Sequence, residues 1–211
     1  DRLHNKKEIQ SSKIDIRKVY IEKTLQRLKT VSKIIPNYSS AETLTINGVK
    51  FKNYLKKKNR KIFDELEKVL YNNKFNPIHG DPTCSNILIQ KNLKPIFFDP
   101  RGYFSNDANI FGDKFYDISK FYYSIIGNYD LFNRRKFKLY ADNQSVEIMM
   151  DNFYPNGAEN IFKERFKSDF QKIQIIHALI WLSLSGYDKD DIDSILGSFY
   201  NGLYWLNKAI K

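Results

Sequence analysis

The sequence predicts an α+β fold that is mainly helical, and two observations support this prediction. Apolar residues recur at three- and four-residue steps over long stretches, which is the period of an amphipathic helix. Shorter stretches alternate apolar and polar residues on either side of turn-forming residues, which is the pattern of a β-hairpin. The helical stretches cover residues 15–34, 59–71, 113–127, 159–184 and 190–209.

The first predicted helix, residues 15–34, has a start and an end that the sequence indicates. Asp15 is a candidate N-cap, because a carboxylate oxygen accepts a hydrogen bond from the free amides of the first turn. Pro36 stops the helix, because proline has no amide hydrogen and its ring clashes with the preceding turn. The last two helices are separated by residues 186–188, which begin with a glycine, a residue that commonly ends helices.

Three small hairpins are predicted between the helices. Residues 44–51 alternate around Asn47-Gly48, and Asn-Gly is the strongest short-range hairpin signal. Residues 86–98 form two short apolar runs around a polar turn at 91–94. Residues 136–150 alternate more loosely and predict a third hairpin.

Composition limits the class of protein. The chain has 211 residues, of which 42% are hydrophobic, enough to bury a core. No apolar run reaches the length of a membrane span, so we expect no membrane partner. The single cysteine, Cys84, excludes an internal disulfide and favours a reducing, cytoplasmic compartment.

The formal net charge of +11 has two interpretations. A nucleic acid or another anionic surface would be attracted to a basic protein. The alternative is a coding bias of an AT-rich genome toward lysine, and it is favoured because the lysines are spread along the chain rather than gathered in one block, which argues against nucleic acid as a partner. A basic surface also suits a protein that handles ATP or phosphorylated substrates.

The residues that carry chemistry lie between His79 and Asp99. The turn His79-Gly80-Asp81 is followed by Asn86 five residues later, and Asp99 comes after a short predicted hairpin. A kinase-type site spaces its catalytic aspartate and its two Mg²⁺ ligands in this way. The hairpin would hold Asn86 and Asp99 close together at its two ends.

Each residue type suits a role in phosphoryl transfer. Asp81 can orient an acceptor hydroxyl and accept its proton. Asn86 and Asp99 offer hard oxygen ligands, which Mg²⁺ prefers. Gly80 allows a tight turn before the aspartate, and His79 is interpreted as a brace of the loop. Arg101 is a possible phosphate contact, or it pairs with a nearby acid.

Other interpretations of these residues remain open. A metallohydrolase could use His79, Asp81 and Asp99, but it leaves Asn86 without a role. Cys84 near His79 suggests a thiol nucleophile, although a lone cysteine is most often a packed small residue. The acids at positions 188, 190, 191 and 193 could meet a cationic acceptor, or they could simply complement the first turn of the last helix.

In these residues the chain resembles the aminoglycoside phosphotransferase and choline kinase family, which shares the C-lobe of protein kinases. The motifs are the His79-Gly80-Asp81 turn, Asn86, Asp99, and the segment from Gly112 to Ile118. The resemblance implies that Asp81 is catalytic and that Asn86 and Asp99 bind Mg²⁺. It also implies that Asp117 is structural and fastens the catalytic loop through backbone N–H groups.

The resemblance implies a single kinase-like C-lobe over residues 1–211. Residues 1–75 would form a helical and hairpin entry region, 76–118 the catalytic and metal-binding loops, and 119–211 a helical substrate-side subdomain. The chain would use ATP and Mg²⁺ to phosphorylate a small-molecule hydroxyl on a sugar, amino alcohol or aminoglycoside-like acceptor.

Two departures from the family pattern stand out. Residues 82–85 replace the usual Leu-His-Pro-Gly type of insert and leave the acceptor open. Residues 1–58 contain one glycine, Gly48, and cannot build a five-stranded N-lobe with its phosphate-covering loop. We expect that an N-lobe precedes residue 1 in the natural protein and that this chain alone is inactive. The alternative is a non-catalytic kinase-like module that docks a partner or an anionic polymer through its basic surface.

Overall fold

The computed structural model describes residues 2–105, 108–142, 145–151, 154, 156–187 and 190–210, which form an α+β fold with small sheets. The α-helices are α1 (Lys13–Arg17), α2 (Lys23–Val31), α3 (Ile62–Leu70), α4 (Lys114–Ile125), α5 (Tyr129–Asn133), α6 (Ala158–Phe166), α7 (Phe170–Leu184) and α8 (Ile192–Ala209). The strands are β1 (Ile9–Gln10), β2 (Thr43–Ile46), β3 (Val49–Lys52), β4 (Lys74–Pro77), β5 (Ile87–Ile89), β6 (Pro95–Phe97), β7 (Phe111–Gly112), β8 (Phe137–Ala141) and β9 (Ser145–Met150).

The first predicted helix is present, but it begins earlier than its sequence suggests. Helices α1 and α2 are joined by a π-helical turn, Lys18–Glu22. The N-cap is Ser12, whose hydroxyl accepts a hydrogen bond from the backbone N–H of Asp15 at 3.1 Å. The prediction that Asp15 is the N-cap was therefore wrong, because the serine offers its oxygen one turn earlier. Helix α2 ends at Val31, before Pro36.

Helix α7 forms the centre of the helical part. It packs against α8, α4 and α2, and most of its side chains are buried, as expected for a helix that is apolar on all sides. A Cβ at Gly202 of α8 would lie 2.6 Å from Leu182, so the glycine allows the two helices to approach closely. One contiguous core runs from Ile16 to Ala209.

The predicted helix over 159–184 is divided into α6 and α7. The break follows Phe166, and Lys167 has a positive φ of 37°. A residue with a positive φ cannot continue a right-handed helix, whose residues have φ of about −63°. This break was not predictable from the sequence, since neither glycine nor proline marks it.

All three predicted hairpins are confirmed: β2–β3, β5–β6 and β8–β9 are antiparallel pairs. Two of them join into one sheet of order β3-β2-β9-β8, through a parallel pairing of β2 with β9. Asn47 strengthens this junction, because its side chain accepts from the N–H of Ile148 at 2.7 Å and donates to the carbonyl of Ile148 at 3.1 Å. Residue 143 of the predicted turn lies outside the described residues.

A second sheet was not predicted and positions the candidate site. It has the order β1-β4-β7, and its central strand β4 ends at Pro77, two residues before His79. Each strand has only two to four residues, which is too short for alternation to be recognisable.

Residues 2–58 supply β1, α1, α2 and the β2–β3 hairpin. The largest sheet in the described part of the chain has four strands. No helix among the described residues is long and apolar enough to cross a membrane.

Candidate active site

The backbone of the turn His79-Gly80-Asp81 is held by hydrogen bonds to the side chain of Asp117. This carboxylate lies in the first turn of α4 and is buried. It accepts hydrogen bonds from the backbone N–H groups of His79 and Gly80, each at 2.7 Å. A carboxylate that accepts two amide hydrogens is a strong, directional anchor, and this is the contact that the resemblance implies for Asp117.

His4 adds a contact that the sequence did not suggest. Its Nε2 lies 3.0 Å from Oδ2 of Asp117, and its backbone carbonyl accepts a hydrogen bond from Asn76 in β4 at 2.8 Å. The N-terminal segment therefore contacts both Asp117 and strand β4, next to the turn. A lone histidine near a chain end carries no pattern that would reveal this placement.

His79 braces the loop through both ring nitrogens. The backbone N–H of Asp81 donates to Nδ1 at 3.3 Å, and Nε2 lies 2.9 Å from the carbonyl oxygen of Phe98. This pattern assigns the ring proton to Nε2, since a carbonyl can only accept. With both nitrogens engaged, His79 has no lone pair for a thiol, which argues against the nucleophile interpretation of Cys84.

Gly80 is required by the shape of the turn. Its φ is +85°, a conformation that favours glycine. A Cβ at this position would lie 2.8 Å from Cβ of Arg101. The backbone N–H of Arg101 donates to the carbonyl of His79 at 2.8 Å, so the segment after Asp99 is pinned against the turn.

Asn86 is tied directly to the catalytic candidate. It closes the 3₁₀ turn Cys84–Asn86, and its side-chain amide donates to the backbone carbonyl of Asp81 at 2.9 Å. The carbonyl of Asn86 accepts from the N–H of Phe98 at 3.1 Å. With Ile87 paired to Phe97 in the hairpin, Asn86 and Asp99 lie at the same open end of it.

The oxygens of Asn86 and Asp99 suit a magnesium ion. The Asn86 amide nitrogen is used within the loop, while we find no hydrogen bond to its Oδ1 or to the Asp99 carboxylate among the described residues. Asp99 is exposed, with a positive φ of 56°, and non-glycine residues held there often belong to functional sites. One amide and one carboxylate oxygen, completed by water and phosphate oxygens, are typical of Mg²⁺.

The same donor set does not suit a transition metal. The described residues contain no group of three or more histidine, cysteine, aspartate or glutamate side chains that could hold a metal ion. Both His79 nitrogens are occupied by the backbone. The metallohydrolase interpretation therefore lacks the ligands it needs.

Asp81 is partly exposed and paired with Lys120. The Nζ of Lys120 lies 2.9 Å from Oδ1 of Asp81, and the two side chains are 15% and 39% exposed. Burial by itself would lower the pKa of Lys120, but Tyr116 and Asp81 raise it above its ordinary value. We find no hydrogen bond to the second oxygen, Oδ2, among the described residues, so this atom can receive an acceptor hydroxyl.

Residues 82–85 are part of a loop that is held to the helices by hydrogen bonds. The backbone N–H of Cys84 donates to the hydroxyl of Ser124 at 2.8 Å, and that of Ser85 donates to Asp130 at 3.1 Å. Ser124 in turn donates to Asp130. The loop between Asp81 and Asn86 is thus fixed by side chains of α4 and α5.

Arg101 points toward the helical side of the site. Its Nη1 donates to the hydroxyl of Tyr116 at 2.9 Å and its Nη2 to that of Tyr103 at 3.0 Å. The sequence left open whether Arg101 pairs with an acid, and no ion pair to it is present among the described residues.

Of the acids near the start of α8, Asp191 and Asp193 lie beside Arg135. Asp191 is the N-cap of that helix, and it forms an ion pair with Arg135 at 2.6 Å. Asp193 lies 3.7 Å from the same guanidinium. Position 188 is outside the described residues. The helix-capping interpretation therefore applies to Asp191.

Sequence reasoning missed three cations near the site: Lys120 on α4, which pairs with Asp81, and Lys23 and Arg27 on α2, which lie close enough to Arg101 for their charges to interact. Lysine and arginine are common on helices, so no local motif distinguishes them. The one usable signal is that Lys23 and Arg27 are four residues apart and Lys120 is four residues after Tyr116, which puts each pair on one helix face.

Comparison of this chain with models of known families, with curated proteins and with solved structures finds no match.

Proposed function

We propose that this chain is the C-lobe of an ATP- and Mg²⁺-dependent phosphotransferase that phosphorylates a hydroxyl group of a small molecule. The observation that carries the proposal is the turn fastened by Asp117, which fixes Asp81 and links it to Asn86 through the 2.9 Å hydrogen bond. Phosphoryl transfer depends mainly on positioning and on charge neutralisation, and these residues supply both.

Asp81 would orient the acceptor. Its Oδ2 accepts the hydrogen bond of the substrate hydroxyl, while Lys120 pairs with Oδ1 and holds the carboxylate in place. The hydroxyl oxygen attacks the γ-phosphorus of ATP, the bond from that phosphorus to the β–γ bridging oxygen breaks, and ADP leaves. The hydroxyl proton passes to Asp81.

Asn86 and Asp99 would hold the metal. Bound Mg²⁺ neutralises charge on the phosphate oxygens. The protein contributes the rigid hairpin that fixes the separation of the two ligands, and His79, which holds the backbone at Phe98 next to Asp99.

The test is Mg²⁺-dependent transfer of labelled γ-phosphate from ATP to a panel of hydroxyl compounds, with the full natural gene product. Asp81→Asn should lower kcat by a factor of about 100 or more, because the general base is lost, while the circular dichroism spectrum and Tm stay close to those of the parent. Asp193→Asn, which changes an exposed carboxylate on α8, is the matched control and should retain full activity.

Retained turnover in Asp81→Asn would overturn the assignment. A parent protein that transfers no phosphate but binds an anionic polymer in a salt-sensitive manner would replace it with the binding-module alternative.

A further inference from the structure

Four cationic side chains lie close enough together for their charges to interact, and one of them, Lys120, pairs with Asp81. Lys23 and Arg27 project from one face of α2, since they are four residues apart. Arg101 arrives from the segment after β6, and Lys120 comes from α4. The four residues thus belong to three separate parts of the chain.

Tyr116 is the centre around which these cations are placed. Its hydroxyl accepts from Arg101 at 2.9 Å, and Lys120 follows it by one helical turn. Its ring lies 6.1 Å, centroid to centroid, from that of Tyr20, which precedes Lys23 by about one turn. The α2 face that carries Lys23 therefore adjoins the α4 face that carries Lys120.

The cluster has a single negative partner. Lys120 pairs with Asp81, whereas no ion pair joins Lys23, Arg27 or Arg101 to a carboxylate within the described part of the chain. Arg27 donates to the hydroxyl of Ser183 at 3.1 Å and lies over the ring of Tyr187 at 5.2 Å. Arg101 is held by two tyrosine hydroxyls. Neutral partners fix both guanidinium groups without cancelling their charge.

Placing these cations together lowers the stability of the folded protein, and the lowered pKa of Lys23 reflects this. Burial, together with the positive charges of Arg101, Arg27 and Lys120, lowers the pKa of Lys23 to about 8. Burial lowers the pKa of Arg27 as well. Partly buried cations that have too few carboxylate partners are typical of ligand sites, where the ligand supplies the missing countercharge.

We propose that the acceptor of this phosphotransferase is itself a phosphate monoester that carries a free hydroxyl, and that Lys23, Arg27 and Arg101 bind its phosphate beside Asp81. The proposal rests on the function proposed above and narrows its substrate class. A phosphate monoester carries a charge of about −2 near neutral pH, which would offset most of the excess of positive charge. Arginine pairs bind phosphate oxygens with directional hydrogen bonds. An amino sugar or another cationic acceptor would be repelled.

The position of the cluster favours the acceptor over the donor. The ligands proposed for Mg²⁺, and with them the ATP phosphates, belong to the open end of the β5–β6 hairpin. Lys23, Arg27 and Lys120 come from helices, and the Arg101 guanidinium is turned toward Tyr116 of α4. The phosphate of the acceptor would therefore lie on the side of Asp81 that faces the helices.

The first test needs no catalysis: binding of inorganic phosphate to the full natural protein, measured by calorimetry. Lys23→Met should weaken this binding about tenfold, because a charged hydrogen bond contributes on the order of 1.5–3 kcal/mol. Lys29→Met changes an exposed lysine on the same helix and should leave the affinity unchanged. Equal affinities in the two variants would overturn the proposal.

The second test is kinetic. With sugar phosphates as acceptors, Lys23→Met should raise the acceptor KM about tenfold and leave the KM for ATP unchanged. A raised KM for ATP alone would assign the cluster to the donor, and preferential turnover of unphosphorylated or cationic acceptors would exclude it from acceptor binding. The Asp81→Asn result is independent of both, so failure of the phosphotransferase assignment is distinguishable from failure of this inference.

Discussion

Two charged residues of the site show opposite consequences of removing a charge from water. Asp117 is buried, but two backbone amides donate to it, so its charge is satisfied and organises the turn. Lys23 is half-buried among other cations, so its charge is poorly satisfied in the free protein. The first arrangement stabilises the fold, and the second sacrifices stability for a ligand.

Lys23→Met should therefore raise the stability of the ligand-free protein at pH 7. The folded-state pKa of Lys23, about 8, lies below the ordinary value of 10.5. The penalty is fully present below about pH 8 and disappears as the pH rises from there through 10.5, because the folded state loses its proton first. Thermal unfolding in phosphate-free buffer should show a higher Tm for the variant at pH 7 and a smaller difference near pH 10.

Lys29→Met is the control for the loss of a lysine from α2, and its effect on Tm should be small at both pH values, because the side chain is exposed. A Lys23→Met variant that is less stable than the parent at pH 7 would show that Lys23 has a favourable partner and would contradict this account of the cluster.

At the scale of elements, local patterns predicted the pieces and long-range pairing decided their arrangement. The hairpins were predictable, because Asn47-Gly48 adopts the two left-handed conformations of a tight turn, with φ of 50° and 75°. The parallel pairing of β2 with β9 was not, because it joins segments about a hundred residues apart. The β1-β4-β7 sheet and the break at Lys167 leave no periodic signal either.

Asn47 makes the junction of the two hairpins testable. Asn47→Gly keeps a residue that accepts positive φ, but it removes both side-chain hydrogen bonds to Ile148. Each such bond contributes about 1 kcal/mol, so the variant should lose about 1–2 kcal/mol of unfolding free energy, measured by urea denaturation.

Asn92→Gly is the matched control in the turn of the β5–β6 hairpin. Asn92 accepts one local hydrogen bond, from the N–H of Lys94 at 3.1 Å, and contacts no other hairpin through it. Its replacement should cost less than that of Asn47. Equal losses would mean that the Asn47 bonds across the sheet add nothing to stability.

At the scale of the whole molecule, the sequence predicted the parts of the site that lie close together along the chain. His79, Asp81, Asn86 and Asp99 fall within one loop–hairpin unit, so their spacing alone constrains their geometry. Asp117 was reached only through the resemblance, although its hydrogen bonds to the turn are plain in the structure. Lys23, Arg27 and Lys120 come from distant helices, which reach the same part of the molecule because α2 and α4 both pack against α7.

The β5–β6 hairpin that carries the proposed metal ligands also presents an apolar surface. Its side chains are among the most exposed large hydrophobic residues of the described chain, with Leu88 60%, Ile89 61% and Leu93 80% exposed. Singly exposed apolar residues are ordinary, but Leu88 pairs across the hairpin with Ile96, which is 44% exposed, so one face carries neighbouring apolar side chains. This surface should bind a hydrophobic dye even in the folded protein.

The double variant Leu88→Thr/Ile89→Thr tests this directly. Threonine keeps the branched shape that strands favour and removes much of the exposed apolar area, so dye fluorescence should fall while the unfolding free energy changes by less than about 1 kcal/mol. Leu66→Thr is the contrasting variant, because Leu66 is a buried residue of α3. It should lower Tm and raise dye binding, since a polar hydroxyl and a cavity replace core packing. Severe destabilisation by the double variant would mean that Leu88 and Ile89 are packed rather than exposed, and the hairpin would then be part of the core.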